Sequence, residues 1–230
     1  MIDSTLKSLH DLLLVFEQNA DTEIARQQKA YMKGRFEYFG IKAPDRKQLQ
    51  KPFLVKAFLP RKNELQDIVE WLWGQEQREF QMYGQELVQK FVKDFERNDI
   101  KLMEYMVVTK SWWDSVDFIA SNLIGEYFKK FPEAKDFNID RWLKSDNIWL
   151  QRVCLIFQLK YGSDTDVMTL IKAIDFLNGT NEFFINKAIG WALRQYGKVD
   201  PDWVVDFVDN TELSQLSRKE ALKLISQACG

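Results

Sequence analysis

The segment WLQRVCLIFQL, residues 149–159, carries the pattern that decides the fold. Its apolar residues recur at intervals of three and four, the spacing that places them on one face of an α-helix. The segments DSVDFIASNLI, residues 114–124, and FINKAIGWAL, residues 184–193, align with it at a step of 35 residues. A period of this length, with two helices in each unit, is typical of stacked helical repeats. The period therefore predicts a curved α-solenoid.

The rest of the chain has the same helical periodicity. ELQDIVEWLW, GQELVQKFVKDF and VMTLIKAIDFL repeat it, and no stretch of useful length alternates as a β-strand does. Asp200 and Pro201 suit an N-cap followed by a first-turn proline, and SRKE, residues 217–220, has the pattern of a capping box. We therefore expect an all-α chain of roughly a dozen helices, as a single domain over residues 1–230.

Composition limits the possible functions. The apolar fraction of 46% suffices for a sizeable core, and the apolar runs fall short of the roughly 18 residues of a membrane span. The N-terminus lacks the pattern of a signal peptide, and Cys154 and Cys229 do not make a disulfide framework. We therefore expect a cytoplasmic protein without membrane contact. A single histidine, His10, nearly excludes triad and His-based metal catalysis, which leaves carboxylates, guanidinium groups and aromatic rings.

The 35-residue alignment brings charged residues into one column, namely Asp117, Arg152 and Lys187. Equivalent positions of successive inner helices line the concave face of a solenoid, so these side chains should face one groove. Trp113 lies one turn before Asp117, and Trp191 lies one turn after Lys187, so each shares a helix face with its charged neighbour. A carboxylate flanked by two indoles and a guanidinium favours a functional site.

Structural interpretations of the same residues remain open. A tryptophan at helical spacing usually lies in a core, and Asp117 can be a salt-bridge partner of Arg152. A solenoid that binds a protein partner, and a DNA-damage sensor without catalysis, are alternatives to an enzyme. The net charge of −2 lacks the strongly basic balance typical of nucleic-acid binders, although charges of opposite sign can be concentrated on separate surfaces.

Several motifs together resemble the AlkD-type alkylpurine DNA glycosylases of bacteria, which are HEAT-like-repeat DNA glycosylases. They include VTKSWWDSVD, SDNIWLQRVCLIFQLKY and EFFINKAIGWALRQY, and they extend in family order from about residue 31 to residue 225. The resemblance implies a C-shaped α-solenoid of HEAT-like repeats whose concave groove grips duplex DNA. It also implies release of 3-methyladenine, 7-methylguanine and similar bases in base excision repair, without base flipping, by a monomer at the bacterial nucleoid.

The resemblance assigns roles to the column residues. The Asp, the Arg and the two Trp of the family's catalytic site carry over here to Asp117, Arg152, Trp113 and Trp191. The resemblance implies no metal or cofactor, and an alkylated purine, which is already a cationic leaving group, needs no protonation by a general acid.

The resemblance also implies a set of DNA-binding residues. Tyr31 matches an aromatic residue near the lesion, and Lys160 and Arg194 match residues that contact the DNA backbone. Lys42 departs from the family pattern, which has a neutral amide there, so it is expected to shift substrate preference or add a phosphate contact. Further basic residues expected to make the affinity salt-sensitive are Lys33, Arg35, Lys110, Lys187, Arg218 and Lys219.

Overall fold

The structure, a computed structural model, describes the backbone of residues 2–225 and the side chains of residues 8–225. Cys229 lies outside the described residues. Over the described range the chain is helical, and extended pairing is restricted to an isolated parallel bridge between Glu37 and Gln77. The predicted all-α class is confirmed. Contacts divide the chain into two compact units with their boundary between Phe95 and Glu96, so the single domain stays a prediction.

The first unit consists of α-helices joined by loops and short 3-10 turns. Its helices are α1 (Ile2–Gln18), α2 (Thr22–Tyr31), α3 (Ala43–Gln50), α4 (Leu65–Gly74) and α5 (Arg78–Gln89). The 3-10 turns are Lys51–Leu54, Lys56–Phe58, Lys62–Glu64 and Val92–Asp94.

The apolar helix faces of the first unit pack on one another. In α4, Leu65, Val69 and Leu72 are buried at intervals of four and three residues, and α4 packs against α5. Phe16 of α1 is fully buried, and its ring centroid lies 5.9 Å from that of Phe80 in α5. Burying a large apolar side chain contributes roughly 1.5–3 kcal/mol, so these contacts hold the helices together.

A buried carboxylate holds the loop before α3. Glu79 accepts hydrogen bonds from three consecutive backbone N–H groups, those of residues 39–41, at 3.1–3.2 Å. Gly40 has a φ of +90°, and a Cβ there would lie 1.9 Å from a backbone oxygen, so glycine is required. These contacts fix the backbone that leads directly into Lys42.

The second unit continues with helices in sequential order. They are α6 (Asp99–Val108), α7 (Trp113–Phe118), α8 (Gly125–Lys130), α9 (Lys135–Leu143), α10 (Ile148–Ile156), α11 (Val167–Leu177), α12 (Phe183–Tyr196), α13 (Pro201–Asn210) and α14 (Gln215–Leu222). A π-helical turn, Ile119–Ile124, joins α7 to α8, and 3-10 turns cover Pro132–Ala134 and Gly162–Asp164. No helix in the described part of the chain has both the length and the apolar character needed to cross a membrane.

The helices of the second unit form a stacked repeat. Helix α9 packs against α10, α11 against α12, and α13 against α14, while α10 also contacts α7, and α12 contacts both α10 and α14. Asp117, Arg152 and Lys187 lie on α7, α10 and α12, one in each repeat, as the 35-residue step predicts. The Tyr161 hydroxyl donates a hydrogen bond of 2.7 Å to the carbonyl of Gly125 in the preceding repeat. Such side-chain bonds tie successive repeats together.

The start of α13 follows its sequence signal, whereas the start of α14 does not. Asp200 accepts a hydrogen bond from the backbone N–H of Trp203 at 2.9 Å, as expected of an N-cap. The capping box expected at residues 217–220 is wrong, because α14 starts earlier, with Ser214 as its N-cap. Glu220 therefore lies inside α14, and its carboxylate is free to contact α12 instead.

Candidate active site

Helices α7, α10, α12 and α14 contribute the lining of a cleft of about 350 Å³ in the second unit. The lining combines aromatic rings with charged groups, and all four residues expected to be catalytic are part of it, together with two of the expected DNA-binding residues. It consists of Trp113, Asp117, Arg152, Phe183, Phe184, Lys187, Trp191, Arg194 and Glu220.

Asp117 and Arg152 form a bidentate ion pair in this lining. The Arg152 Nε donates to Oδ1 of Asp117 at 2.7 Å, and Nη2 donates to Oδ2 at 2.8 Å. The Asp117 side chain is 16% exposed and that of Arg152 is 4% exposed. A planar fork of this kind fixes the orientation of a carboxylate. The salt bridge considered as the structural alternative is present, and the same carboxylate also reaches the cleft.

The environment of Asp117 changes its acidity. Burial raises the pKa of the Asp117 carboxyl, and the charge of Asp114 raises it further, while the hydrogen bonds and charge of Arg152 lower it. Burial is the largest of these effects, so the pKa of Asp117 lies above that of an ordinary aspartate. A carboxylate whose negative charge is only partly stabilised by its surroundings is stabilised further when positive charge develops beside it.

The backbone of α12 holds the other side of Arg152. Its Nη1 donates to the carbonyl oxygen of Phe184, near the start of α12. The Phe184 ring packs against Trp112 and Trp149, with ring centroids 4.9 and 5.0 Å away, which is the usual range for aromatic pairs. This aromatic cluster anchors the carbonyl that orients the guanidinium.

The two adjacent tryptophans before Asp117 have different environments. Trp112 is 5% exposed and belongs to the aromatic cluster, whereas Trp113 is half-buried and lines the cleft. Trp112 has an extended backbone, with φ −159° and ψ 160°, and consecutive side chains of an extended chain point to opposite sides. The core interpretation therefore holds for Trp112, while the indole of Trp113 is available to a ligand in the cleft.

The π-helical turn begins two residues after Asp117. The Ser121 hydroxyl donates to the Asp117 carbonyl at 2.8 Å, and the Asn122 amide donates to the Phe118 carbonyl at 2.9 Å. Lys160 Nζ in turn donates to Oδ1 of Asn122. Such turns are frequent at functional sites, and this one links the exposed Lys160 to the helix that carries Asp117.

Three of the residues that were predicted to catalyse the reaction or bind DNA share one face of α12. Lys187, Trp191 and Arg194 are spaced by four and three residues. Lys187 Nζ and Arg194 Nη1 both donate to the carboxylate of Glu220 in α14. Burial lowers the pKa of Arg194 below that of an ordinary guanidinium. Glu220 is only 8% exposed, so two cations share one nearly buried acid.

Other predicted DNA-binding residues are not part of this lining. Arg218 is exposed and donates to the Asp209 carboxylate and to a backbone oxygen of α13. Lys110 is half-buried, with a φ of +48°. In the first unit, Tyr31 at the end of α2 is 72% exposed, and Lys42 is exposed immediately before α3.

Three lining residues, Glu220, Phe183 and Phe184, were not predicted. Glu220 follows Lys187 by 33 residues, so the 35-residue step misses it by two. Phe184 lies one full step after Trp149, and that alignment was a usable signal for an aromatic position in the repeat. Phe183, which is 57% exposed, has no comparable signal, because exposed aromatic residues occur singly on many surfaces.

Similarity to known proteins extends over almost the whole chain. The sequence model of the DNA alkylation repair enzyme family matches residues 12–225. This chain belongs to that family. No protein with a curated description matches the chain.

This DNA alkylation repair enzyme is similar to a protein of known structure, a predicted DNA alkylation repair enzyme from Enterococcus faecalis. The two chains are 33% identical, with a TM-score of 0.84, and the match covers 90% of this chain and 97% of the other. The helical fold is thus the helical-repeat fold of DNA alkylation repair. Membership of the family makes the chain an enzyme of DNA repair, with DNA as its substrate.

Proposed function

We propose that this DNA alkylation repair enzyme is a monofunctional DNA glycosylase that hydrolyses the N-glycosidic bond of N3- or N7-alkylated purines in duplex DNA. The observation that carries the proposal is the carboxylate of Asp117, fixed by a buried Arg152 and located in a cleft with two indoles. Family membership supports alkylated DNA as the substrate class. The simplest such bases are 3-methyladenine and 7-methylguanine.

The leaving base determines what the site must supply. An N3- or N7-alkylated purine carries a formal positive charge, so the C1′–N bond can break with both electrons passing to the purine, which leaves as a neutral base. Positive charge then develops on the deoxyribose. Water adds to C1′ and passes a proton to a carboxylate, which leaves an abasic site and an intact strand. No general acid is required, which suits a chain whose one histidine, His10, is exposed on α1.

Asp117 is the group that stabilises the cationic sugar and accepts the proton of the attacking water. A fixed negative charge acts most strongly where positive charge develops in the transition state. Arg152 is a positioning residue in this scheme, because three of its N–H groups already bind Asp117 and the Phe184 carbonyl. The guanidinium keeps the carboxylate oriented, while burial limits its solvation by water.

Trp113 and Trp191 bind the cationic nucleotide. Both indoles are half-buried in the cleft lining, and a cation on an indole face gains about 0.5–2 kcal/mol. This contact favours an alkylated purine or its charged sugar over an ordinary neutral nucleotide.

We also propose that the reaction takes place on a nucleotide that stays in the duplex, without base flipping.

Hydrolysis, rather than strand cleavage through a Schiff base, is the proposed reaction. A Schiff base requires an uncharged lysine amine, and Lys187 in the cleft is paired with Glu220. We propose that the enzyme works as a monomer in the cytoplasm, on nucleoid DNA, and needs no cofactor. The proposed DNA-binding residues are Tyr31, Lys42, Lys110, Lys160, Lys187, Arg194 and Arg218.

The test is release of free base from a duplex that carries one 7-methylguanine or 3-methyladenine. We expect the wild-type protein to release the base, as measured by chromatography under single-turnover conditions. Asp117→Asn should bind the same duplex within a few-fold of wild type but lose about 10²–10³ in rate, the usual effect of removing one preorganised electrostatic group. Normal excision by this variant would refute the role of Asp117.

Asp114→Asn is the matched control. Asp114 lies on the same helix and carries the same charge but does not line the cleft, so this variant should keep most of the activity. If the wild-type protein binds the damaged duplex without releasing base, it is a damage sensor. If it neither binds nor releases, a protein-binding scaffold becomes the better description.

A further inference from the structure

Glu220 holds two cations of the cleft with a single carboxylate. Its Oε2 accepts from Lys187 Nζ and its Oε1 accepts from Arg194 Nη1. The Lys187 side chain is 40% exposed and that of Arg194 is 20% exposed, whereas that of Glu220 is 10% exposed. The two cations are therefore accessible to a ligand in the cleft, while the acid they share is nearly buried.

The packing of α14 against α12 fixes the position of Glu220. A Cβ at Gly190 would lie 2.5 Å from the Cβ of Glu220 and 3.1 Å from its Cγ. The missing side chain at Gly190 thus allows the close approach of the two helices. Ser217, one turn before Glu220, donates a hydrogen bond of 2.8 Å to the Asn186 carbonyl of α12. Glu220 is consequently held against α12 by helix packing as well as by its charge.

The charge of Glu220 has a large effect on the net charge of the cleft lining. The lining contains three cations and two carboxylates, so its net charge is positive by one unit. Asp117 and Arg152 form an ion pair with each other. The other two cations of the lining, Lys187 and Arg194, contact Glu220. Loss of the Glu220 charge would double the net positive charge of the lining.

We propose that Glu220 competes with DNA phosphates for Lys187 and Arg194 and so limits the affinity of the cleft for duplex DNA. On undamaged duplex, a phosphate gains the full charge of either cation only by displacing the carboxylate, so affinity stays low. On a damaged duplex, contacts of the cationic nucleotide with Trp113 and Trp191 compensate for this exchange. The proposal rests on the proposed function, since it requires duplex DNA in the cleft.

The test compares binding of undamaged and damaged duplex by the wild-type protein and Glu220→Gln, over a series of salt concentrations. Each additional phosphate contact steepens the slope of log affinity against log salt by about 0.9. The variant should therefore have a slope steeper by about 1–2 and bind undamaged duplex roughly tenfold more tightly at low salt. Damaged duplex should gain affinity by a similar factor, because both duplexes present the same phosphates, and a merely structural role for Glu220 would not steepen the slope.

Glu104→Gln is the matched control for charge. Glu104 of α6 pairs with Arg141 of α9, and neither residue lines the cleft. This variant makes the same change in net charge and also removes the acidic partner of Arg141. Because the pair lies outside the cleft lining, the affinities and salt slope of the variant should equal those of the wild-type protein. An equal gain in both variants would attribute the effect to overall charge and overturn the proposal.

Failure of the proposal is distinguishable from failure of the proposed function. If the wild-type protein does not bind duplex DNA, the proposed function fails. If it binds, and Glu220→Gln has the wild-type slope or binds undamaged duplex more weakly, only the role of Glu220 is overturned. Glu220→Asp is measured in parallel in case the glutamine variant melts at the assay temperature. The shorter acid retains the charge but reaches one cation, so its slope should steepen by about 0.9, and an unchanged slope would count against the proposal.

Discussion

Asp117 is subject to two opposing effects on its acidity. The side chain is mostly buried, which raises its pKa, and it accepts two hydrogen bonds from Arg152, which lower it. Complete burial would have favoured the neutral acid, and full exposure would have left the carboxylate solvated by water. The partial burial observed here keeps the anion available without strong solvation, as stabilisation of a cationic sugar requires.

The raised pKa of Asp117 predicts a pH dependence of base release. The carboxylate is the active form, so the single-turnover rate should fall as the pH drops through the raised pKa. This loss should occur at a higher pH than the value of about 3.9 for an ordinary aspartate. The measurement is the rate of base release against pH, corrected for spontaneous loss of base at each pH.

Unfolding can be separated from this titration. A carboxyl whose folded pKa is raised contributes stability that is present below its unfolded pKa and is lost as the pH rises through the folded pKa. Acidification within that window therefore does not unfold the protein through Asp117. Circular dichroism should show a retained fold where activity is already lost. An activity profile that stays flat down to the pKa of an ordinary aspartate would contradict the prediction.

The contact between α12 and α14 determines how far the cations of α12 lie from the acid of α14. The contact is tight at Gly190, where an added Cβ would lie 2.6 Å from the Ser217 carbonyl and 2.5 Å from the Cβ of Glu220. Helix spacing at this point is thus set by the absence of a side chain. Because the N-cap of α14 is Ser214 rather than Ser217, Glu220 lies within the helix where it makes this contact.

Gly190→Ala should therefore destabilise the protein. Overpacking of a tight contact commonly costs about 1–3 kcal/mol, which corresponds to a fall in Tm of several degrees for a chain of this size. Thermal unfolding followed by circular dichroism measures the change.

Gly74→Ala is the control for the helix substitution. A Cβ at Gly74, the last residue of α4, would meet no atom within 4 Å. Alanine has the higher helix propensity by up to about 1 kcal/mol, so the Tm of this variant should stay constant or rise slightly. Equal Tm values for the two alanine variants would show that the contact at Gly190 is looser than the structure indicates.

The molecule as a whole is slightly acidic, with a net charge of −2. The cleft lining nevertheless carries a net positive charge, because Lys187, Arg152 and Arg194 outnumber its two acids. Attraction to DNA is therefore a local property that net charge does not reveal.

Affinity for duplex DNA should fall as the salt concentration rises. Six of the proposed DNA-binding residues are basic. Phosphate contacts from three of them would give a slope of log affinity against log salt of roughly −2.7, which weakens binding about 40-fold between 50 and 200 mM salt. Fluorescence anisotropy of a labelled duplex measures this slope. Binding that is indifferent to salt over this range would disprove the electrostatic part of the proposal.

Part of the fold and part of the site could be predicted from local pattern. The all-α class follows from apolar spacing, because a helix repeats every 3.6 residues whatever surrounds it. The proximity of Asp117 and Arg152 follows from the repeat, because residues one repeat apart occupy equivalent positions on neighbouring helices. The two partners are indeed 35 residues apart in the chain.

By itself, the sequence determined the helices, their period and the column of charged and aromatic residues, since all three depend on regular spacing along the chain. The tertiary structure alone decided that Trp112 is buried while Trp113 lines the cleft, and that the Phe184 carbonyl completes the contacts of Arg152. It also decided that Glu220 holds the cations of α12. These contacts depend on loop lengths, helix starts and the distance between helix axes, and a repeat period specifies none of the three.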